Sequence, residues 1–292
     1  MTTTGRPLYP RLPLAGSWTR ALVHSYTLQV CGVFYWLPVS VAFVATRVKR
    51  VSRKLGFALA VLLAVFVPVT RWDAFARSSL WEHFLRYFQV QVIGVPPPHG
   101  SAGGIVYSVA PHGIVPFSLG LLQYGSLGDF MGSPRITTAS IVKYVPFFSH
   151  MLYLGGAVEA TKAEMGKVLQ SGGSVGVTPG GIAEMYLGFP QPGCAPDEEF
   201  AMLRNRKGFV RLALQHGSVL VPVFCFGASS IFSRIVLPPW IETMSRALRA
   251  SIMLFYGKWG LPIPWEAPLT YALGEHIPCG SGKGGALPSV EE

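Results

Sequence analysis

A long uncharged stretch near the N-terminus limits most strongly what this chain can fold into. Residues 21–46 hold no Asp, Glu, Lys or Arg, and His24 is their only titratable side chain besides Tyr and Cys. A helix needs about 20 mostly apolar residues to cross a bilayer, so this run is long enough to do so. A cleavable signal peptide fits poorly, because its apolar region spans only about 7–15 residues.

A second apolar run follows at residues 55–70, after five basic side chains in residues 47–54. Together these segments predict a hydrophobic helical hairpin with a basic tip over residues 21–70. The second run is a little short for a full crossing. Pro38 in the first run and Pro68 in the second are expected to break the helices of a shallow, re-entrant hairpin. A spanning hairpin, a re-entrant hairpin and two buried helices of a soluble fold therefore stay open as alternatives.

The overall composition also favours contact with lipid. Half of the 292 residues are hydrophobic and 13% are charged, whereas about 25% are charged in an average soluble domain. The net charge of +10 points to an anionic partner. There is no zinc-type spacing, basic recognition helix or aromatic RNA-binding signature. We therefore expect no metal site and no nucleic-acid partner, but membrane phosphates or an anionic co-substrate.

Beyond residue 70 the pattern becomes that of a folded domain. Short β-rich runs alternate with helical stretches, and this alternation predicts an α/β fold with a mainly parallel sheet and flanking helices. The predicted strands are 105–110, 135–140, 174–179 and 219–227, and the main helices are 159–170 and 208–216.

The remaining segments complete the predicted domain map. Residues 1–20 form an N-terminal segment before the hairpin, and residues 71–278 form the folded domain. Six aromatic residues in 72–88 predict an amphipathic helix at a membrane interface. The small and polar residues 279–292 predict a disordered tail.

His112 lies where such a fold places its chemistry. It follows the predicted strand 105–110, and ligand sites of open α/β sheets lie at the carboxyl ends of the strands. Pro111 fixes one backbone angle and Gly113 permits unusual ones, so the ring can be aimed. A neutral imidazole can accept a proton near physiological pH. A catalytic base and a buried structural histidine are the two alternatives.

Five motifs in a fixed order accompany this histidine. They are PHG at 111–113, YVPFF at 144–148, VTPGGIAEM at 177–185, RKGFVRLALQHGSVLVPVFCFG at 206–227 and FYGKWGLPIP at 255–264. In this order they resemble the type-2 diacylglycerol acyltransferase family, which includes monoacylglycerol and wax-alcohol acyltransferases. The resemblance covers residues 72–278, and that family also shows an N-terminal hydrophobic hairpin.

The resemblance implies a membrane-bound enzyme with a glycerolipid-acyltransferase-like sheet, which moves an acyl chain from acyl-CoA to a lipid hydroxyl. Acyl-CoA is then a co-substrate, and no resident cofactor is expected. Diacylglycerol is the expected acceptor, with monoacylglycerol or a long-chain alcohol as the alternative. The resemblance further implies the endoplasmic reticulum membrane or a lipid droplet, with the catalytic domain facing the cytosol. It leaves homo-oligomerisation open.

The same resemblance implies that His112 is the catalytic base. The family usually reads His-Pro-His-Gly, whereas Ala110 stands at the first position here. Whatever the first histidine contributes in relatives is therefore absent or replaced. Backbone N–H groups around Gly113 or Gly180–Gly181 are candidates to stabilise an oxyanion.

Glu184 is the candidate acid partner of His112. It is the only acid in residues 165–196 and follows the glycine-rich turn. From there a carboxylate can hold the imidazole tautomer, as the acid of a catalytic triad does. A first-turn Glu near a helix N-terminus is the alternative. Glu159 is a competing acid, expected in the first turn of the helix that follows it.

Arg206, Lys207 and Gly208 open the helix predicted over 208–216. Basic side chains there oppose the helix dipole, but free N–H groups and positive charge together form an anion-binding helix end. A CoA phosphate or a lipid headgroup would offset the repulsion. The alternative is a solvated basic loop at a membrane surface.

The stretch GGSVG at 172–176 satisfies the G-x-S-x-G signature of serine hydrolases. That signature requires a strand running into the turn and a helix leaving it, whereas a helix is predicted to enter here and a strand to leave. His112 also precedes Ser174, the reverse of the hydrolase order. A membrane serine hydrolase and a non-catalytic lipid-binding protein are kept as alternatives from other classes.

Overall fold

Helices fill the N-terminal part of the chain and then alternate with strands. The computed structural model describes residues 7–67, 69–101, 103–187, 201–203, 205–248 and 253–280. Its helices are α1 (Ser17–Val30), α2 (Val33–Arg47), α3 (Val51–Phe66), α4 (Asp73–Ala76), α5 (Ser79–Tyr87), α6 (Phe117–Leu121), α7 (Gly125–Phe130), α8 (Phe148–Gly155), α9 (Lys162–Gln170), α10 (Gly181–Leu187), α11 (Gly208–His216) and α12 (Pro239–Leu248). Its strands are β1 (Gln91–Gly94), β2 (Ile105–Ala110), β3 (Arg135–Thr138), β4 (Val158–Glu159), β5 (Ser174–Val177), β6 (Val219–Phe226), β7 (Ser233–Ile235), β8 (Leu254–Tyr256), β9 (Thr270–Leu273) and β10 (Ile277–Pro278).

One sheet organises the domain. In the described part of the chain its strands lie in the order β1-β9-β6-β2-β5-β3-β4, and β10 also pairs with β6. The neighbours from β6 to β4 all pair in parallel. β9 and β10 run antiparallel to β6, and β7 and β8 form a separate antiparallel pair. The predicted α/β fold with a mainly parallel sheet is confirmed.

Helices cover both faces of this sheet, as the alternating residues of β2 show. Val106 joins a cluster of buried apolar side chains with α9 and α11. Tyr107 and Val109 point the other way and join the larger cluster, which includes α5, α6 and α7. Successive side chains of a strand point to opposite faces, so a central strand with helices on both sides is apolar throughout. This accounts for the unbroken apolar run of β2.

The N-terminal apolar run is not one continuous helix. α1 and α2 are separated at Cys31 and Gly32 and bent by 48°. Pro38, predicted to break a helix, lies inside α2, which continues to Arg47. Pro68 lies outside the described residues. In the residues that the structure describes, no single helix has the length and hydropathy of a membrane span, and the bent pair α1–α2 meets both criteria together.

α1 belongs to the folded domain, so the segment boundaries predicted at 1–20 and 21–70 need correction. Its buried face packs on α5, where Thr19 Oγ1 lies 3.0 Å from His83 Nδ1 and His24 Nε2 lies 3.1 Å from the Tyr87 hydroxyl. α2 and α3 differ, since most of their apolar side chains are exposed. The basic tip spans their connection. Lys49 and Arg50 lie between the two helices, Arg47 ends α2, and Arg53 and Lys54 lie in the first turn of α3.

The aromatic side chains of α5 pack in the core, so the predicted place of this helix at a membrane interface is wrong; of the segment 72–88, Trp72 stays 58% exposed. Trp81, Phe84 and Phe88 are at most 2% exposed, and the Trp81 ring stacks on Tyr124 with centroids 3.6 Å apart. An amphipathic helix shows the same periodicity whether its apolar face meets lipid or protein. The pattern could therefore not distinguish the two.

The end of the folded domain lies slightly beyond the predicted residue 278. Cys279 is buried, and its N–H donates a hydrogen bond to the Ser218 carbonyl at 2.9 Å. It therefore packs with the sheet instead of opening a disordered tail. Residues 281–292 of that predicted tail lie outside the described residues, as do residues 1–6 of the predicted N-terminal segment.

Candidate active site

The carboxyl ends of β2 and β5 bring His112 and Glu184 together. The two strands pair in parallel from Ile105–Ser174 to Ser108–Val177. The loop that follows β2 and the turn that follows β5 therefore leave the same edge of the sheet, side by side. This is the edge at which α/β sheets bind their ligands.

The loop after β2 has a backbone course that requires glycine at one position. Gly113 has φ of +67°, a region that residues with a Cβ adopt only with strain. A Cβ at this position would also lie 3.1 Å from the Ala228 carbonyl oxygen. Pro111 beside it is buried. The Pro-His-Gly sequence thus sets the backbone from which the His112 ring projects.

The His112 ring is held in one neutral tautomer. Its Nδ1 lies 2.8 Å from the carbonyl oxygen of Gly113. A carbonyl oxygen only accepts hydrogen bonds, so Nδ1 carries the proton and Nε2 keeps its lone pair. Within the described residues Nε2 has no hydrogen-bond partner. It is therefore the ring atom that can accept a proton from a ligand.

Burial keeps this imidazole uncharged. Loss of solvation lowers the pKa of His112, and the hydrogen bond to the Gly113 carbonyl opposes that shift in part. The ring is only partly accessible, so its charged form is poorly hydrated. A neutral imidazole at physiological pH is the form that a general base needs.

Glu184 lies beside this loop, but it contacts the backbone of His112 and not the ring. Its Oε2 accepts a hydrogen bond from the His112 N–H at 3.1 Å, and its Oε1 accepts one from the Met202 N–H at 3.4 Å. The prediction that Glu184 holds the imidazole tautomer is wrong, because the Gly113 carbonyl makes that contact. Glu184, which is 1% exposed, instead fixes the loop that carries the ring.

The two glycines of the turn have different roles. A Cβ at Gly180 would lie 2.1 Å from Glu184 Oε2, so only glycine allows the carboxylate to approach. Gly181 has φ of +53°, and its N–H donates to the Thr178 carbonyl at 3.2 Å. That N–H is therefore engaged in the turn. The N–H groups of Gly113 and Gly180 make no hydrogen bond with any described residue.

An apolar cavity of about 370 Å³ is lined by His112. Its size falls within the roughly 300–1,000 Å³ of small-molecule sites. Thr137, Thr138 and Thr178 supply hydroxyl groups; Thr178 belongs to the VTPGGIAEM motif, whereas Thr137 and Thr138 lie in none of the five motifs and were missed. The apolar lining side chains include Phe34, Phe117, Val142, Phe148, Met185 and Phe255.

Phe34 shows that the N-terminal helices help to build this cavity. The residue lies near the start of α2, and its ring centroid is 5.2 Å from that of Phe148 and 6.2 Å from that of Phe255. The hairpin was predicted only as membrane attachment, so this contribution was missed. No signal in the sequence distinguishes Phe34 from the other aromatic residues around it.

The basic pair lies at the same edge of the sheet as His112. α11 runs from Gly208 back to the start of β6, so its N-terminus is at the carboxyl edge of the parallel strands. Arg206, Lys207 and Gly208 are exposed there. Within the described residues the Arg206 and Lys207 side chains make no hydrogen bond to the His112 loop.

Two other candidates lie away from this site. Ser174 is the first residue of β5 and is level with Ile105, about 17 Å along the strand from Ala110. A strand leaves this serine, as predicted, so the G-x-S-x-G turn of a hydrolase is absent at 172–176. Glu159 lies in β4 and not in a helix, and its carboxylate pairs with Lys143 at 3.0 Å.

A neutral imidazole on the wall of an apolar cavity, at the carboxyl edge of a parallel sheet, is the arrangement of an enzyme acting on an apolar substrate. A family profile described as diacylglycerol acyltransferase matches residues 40–283. The chain therefore belongs to the diacylglycerol acyltransferase family and is an acyltransferase. The resemblance predicted from five motifs is confirmed.

Two proteins similar in sequence show the same relationship. Diacylglycerol O-acyltransferase 2 from Danio rerio is 29% identical over 235 residues, which cover 73% of this chain and 61% of that protein. Acyl-CoA wax alcohol acyltransferase 2 from Homo sapiens is 27% identical over 300 residues, covering 86% of this chain and 83% of that protein. The crystal structure of the 1-acyl-sn-glycerophosphate acyltransferase PlsC from Thermotoga maritima aligns with a TM-score of 0.42 and 13% identity, over 90% of this chain and 87% of that one.

Proposed function

We propose that this protein is a membrane-bound acyltransferase that moves an acyl chain from acyl-CoA to the hydroxyl of diacylglycerol, forming triacylglycerol. One observation carries the proposal. The His112 imidazole has its Nδ1 proton held by Gly113 and lines an apolar cavity, in a chain that belongs to this family. One base and an apolar wall are what acyl transfer between two lipid-like substrates needs.

The reaction follows from the tautomer of His112. Nε2 takes the proton of the acceptor hydroxyl while the hydroxyl oxygen attacks the thioester carbonyl. General-base assistance of this kind contributes about 10²–10⁴ in rate. When the tetrahedral intermediate collapses, the C–S bond breaks, the ester forms and CoA leaves as a thiolate that can take the proton from the imidazolium. The scheme uses acyl-CoA as co-substrate and needs no resident cofactor.

Backbone donors near His112 are suited to the oxyanion of that intermediate. The N–H groups of Gly113 and Gly180 belong to the loop and the turn that leave the sheet side by side. Neither makes a hydrogen bond with a described residue, whereas the Gly181 N–H is engaged with Thr178. Preorganised donors of this type contribute several kcal/mol to acyl transfer, typically about 2.7–4.

The acyl chain and the CoA phosphates of acyl-CoA are assigned to two different regions of the site. The apolar cavity suits the acyl chain. Arg206 and Lys207 stand exposed before the free N–H groups of α11, where positive charge and a helix N-terminus both favour CoA phosphates. The thioester would then lie between the two, at the carboxyl edge of the sheet that carries His112.

Membrane attachment is assigned to α2 and α3. Leu55, Leu59 and Leu63 on α3 are each more than half exposed to solvent, which favours burial of this face in acyl chains. The basic residues between the two helices suit anionic headgroups. We further propose an endoplasmic reticulum or lipid-droplet location with the catalytic domain facing the cytosol, where acyl-CoA is supplied.

A second acceptor class has a specific observation in its favour. The relative with the wax-alcohol name matches 86% of this chain, so a long-chain alcohol competes with diacylglycerol as acceptor, and monoacylglycerol remains the third candidate. Expression in a host without neutral lipids, followed by thin-layer analysis, tests the choice. We expect triacylglycerol; wax ester would move the assignment to alcohols, and no new acylated lipid with any acceptor would contradict the proposed function.

A further inference from the structure

A second cavity, of about 320 Å³, lies at the end of α3 and has no part in the reaction described so far. One side is apolar and the other is polar. The apolar side comes from α3 and the residues after it, Val65, Phe66, Val67 and Val69, and the polar side is formed by Lys143, Tyr144, Ser149, Tyr153 and Glu159.

A single turn of chain separates this cavity from the one that contains His112. The 3₁₀ turn Ser140–Tyr144 contributes Ile141 and Val142 to the reaction cavity and Lys143 and Tyr144 to the second cavity. The two cavities therefore share this turn as a wall.

One hydrogen bond forms the other part of the partition, which is the wall between the two cavities. Thr138 lines the reaction cavity and Tyr153 lines the second cavity, and their hydroxyl oxygens are 3.3 Å apart. This is long for a bond between two hydroxyl groups, which usually measures about 2.7–2.8 Å. The partition is thus one turn thick and weakly bonded at this point.

The polar side of the second cavity offers hydrogen bonds without net charge. Lys143 Nζ lies 3.0 Å from Glu159 Oε1 and 5.2 Å from the centre of the Tyr144 ring. Hydrogen bonds from Ser140 and Lys143 lower the pKa of Glu159, so the pair stays ionised and neutral overall. A phosphate would meet a carboxylate here, whereas uncharged hydroxyl and ester groups find both donors and acceptors.

The apolar side continues onto the exposed face of α3. Leu59, Leu62 and Leu63 on that helix are each more than half exposed, and the Phe66 ring contacts the Tyr144 ring with centroids 6.2 Å apart. A lipid whose head occupies the cavity can therefore lay its chains along α3. The volume suits a glycerol head and not a whole lipid.

From this arrangement we propose that the second cavity is the entry site of the acceptor lipid, where Lys143, Glu159 and Tyr153 hold the uncharged glycerol head of a glycerolipid with a free hydroxyl. The hydroxyl reaches His112 when the Ser140–Tyr144 turn moves aside. The inference rests on the proposed function, since it places the acceptor of that reaction.

Photolabelling of the full-length protein tests the site without requiring catalysis. The probe is a diacylglycerol with a diazirine near its glycerol, added in phosphatidylcholine vesicles without acyl-CoA, and fragment sequencing locates the label. We expect labelling of Tyr153 or Glu159 that excess unlabelled diacylglycerol removes and additional phosphatidylcholine does not. Label confined to Val142, Phe148 and other residues of the reaction cavity, or label removed equally by phosphatidylcholine, would overturn the proposal.

A kinetic comparison adds a matched control. The double variant Lys143→Met, Glu159→Gln removes the charges of the cavity, and Lys167→Met, Glu164→Gln does the same to an ion pair of 2.7 Å on α9, outside both cavities. We expect the first variant to raise the KM for diacylglycerol about fivefold or more, the effect of one lost hydrogen bond. The KM for acyl-CoA should stay unchanged, and the control should change neither.

The two experiments separate failure of this inference from failure of the proposed function. Equal KM changes in both double variants, or a change in the KM for acyl-CoA alone, would contradict the entry site. If the wild type transfers no acyl group to diacylglycerol, the proposed function fails, and the photolabelling still decides whether this cavity binds an uncharged glycerolipid. If the Lys143→Met, Glu159→Gln protein does not fold, photolabelling of the wild type still decides whether this cavity binds an uncharged glycerolipid.

Discussion

Replacing Gly180 by alanine tests whether the buried Glu184 carboxylate holds the His112 loop in place. The new methyl group would lie 2.1 Å from Glu184 Oε2 and 2.5 Å from Cδ, well inside the contact distance of about 3.5 Å. The carboxylate must therefore retreat by about 1.4 Å. The hydrogen bond that Oε2 accepts from the His112 N–H, now 3.1 Å long, then opens beyond the range of a real bond.

The size of the effect follows from burial and geometry. Glu184 is 1% exposed, so losing this hydrogen bond takes the carboxylate acceptor away from the His112 N–H and lowers the free energy of unfolding by about 1–3 kcal/mol. A ring displaced by about 1 Å from its reacting position costs about 10²-fold in rate. Because the loop can follow the carboxylate only in part, we expect Gly180→Ala to lower kcat about 10–100-fold.

Gly217→Ala is the matched control. Gly217 ends α11 with φ of +60°, at the opposite edge of the sheet, and the nearest atom to its new Cβ is Gly280 Cα at 3.7 Å. The left-handed backbone makes this change cost about 1–2 kcal/mol of stability, without touching Glu184. Initial rates with radiolabelled acyl-CoA, normalised to protein level, and thermal unfolding in detergent measure both quantities. Equal losses of kcat in the two variants, or an unchanged kcat in Gly180→Ala, would refute the reasoning.

Three further outcomes are expected. Burial lowers the pKa of His112, and only the neutral ring is a base. The value of kcat/KM should therefore persist below pH 6.5 and fall only as the pH drops through the lowered pKa. A profile that already falls above pH 6.5 would contradict this. Arg206→Ala or Lys207→Ala should raise the KM for acyl-CoA severalfold at low salt while kcat stays near wild type. The difference in KM between variant and wild type should shrink as salt screens the charge. A change in kcat alone would remove these residues from the CoA site. Alkaline carbonate should leave the protein in the membrane pellet, because hydrophobic insertion is not screened by salt, and its release in intact form would exclude insertion of α2 and α3.

Local sequence pattern was sufficient for the central elements of the fold. β2 and α11 begin and end at the predicted residues: β2 is a six-residue apolar run between Gly104 and Pro111, and α11 is an amphipathic run that starts at Gly208 and stops before Gly217. β1 and β9 were not predicted. Each has four residues, and they pair with each other across the chain, with Gln91 opposite Thr270. Their stability comes from that distant pairing and from burial, which periodicity in a single segment does not contain.

The candidate site could be predicted in its residues but not in its contacts. The lone acid near a glycine turn indicated Glu184, and the fold did place it beside His112. Which atom of His112 it binds depends on the φ and ψ angles of the loop, since the backbone N–H and the ring nitrogen of one residue point in different directions. The residues of the cavity wall could not be predicted from the sequence either, because Phe34 and Phe255 come from distant parts of the chain.

The most direct test of the central claim is the acyl-transfer rate of His112→Ala beside that of Ser174→Ala. Both variants are measured as initial rates with radiolabelled acyl-CoA and diacylglycerol in membranes, normalised to protein level. If His112 is the base, its replacement lowers the rate by about a hundredfold or more, while membrane attachment is kept and Ser174→Ala retains nearly full activity. An inactive Ser174→Ala together with an active His112→Ala would contradict the acyltransferase mechanism.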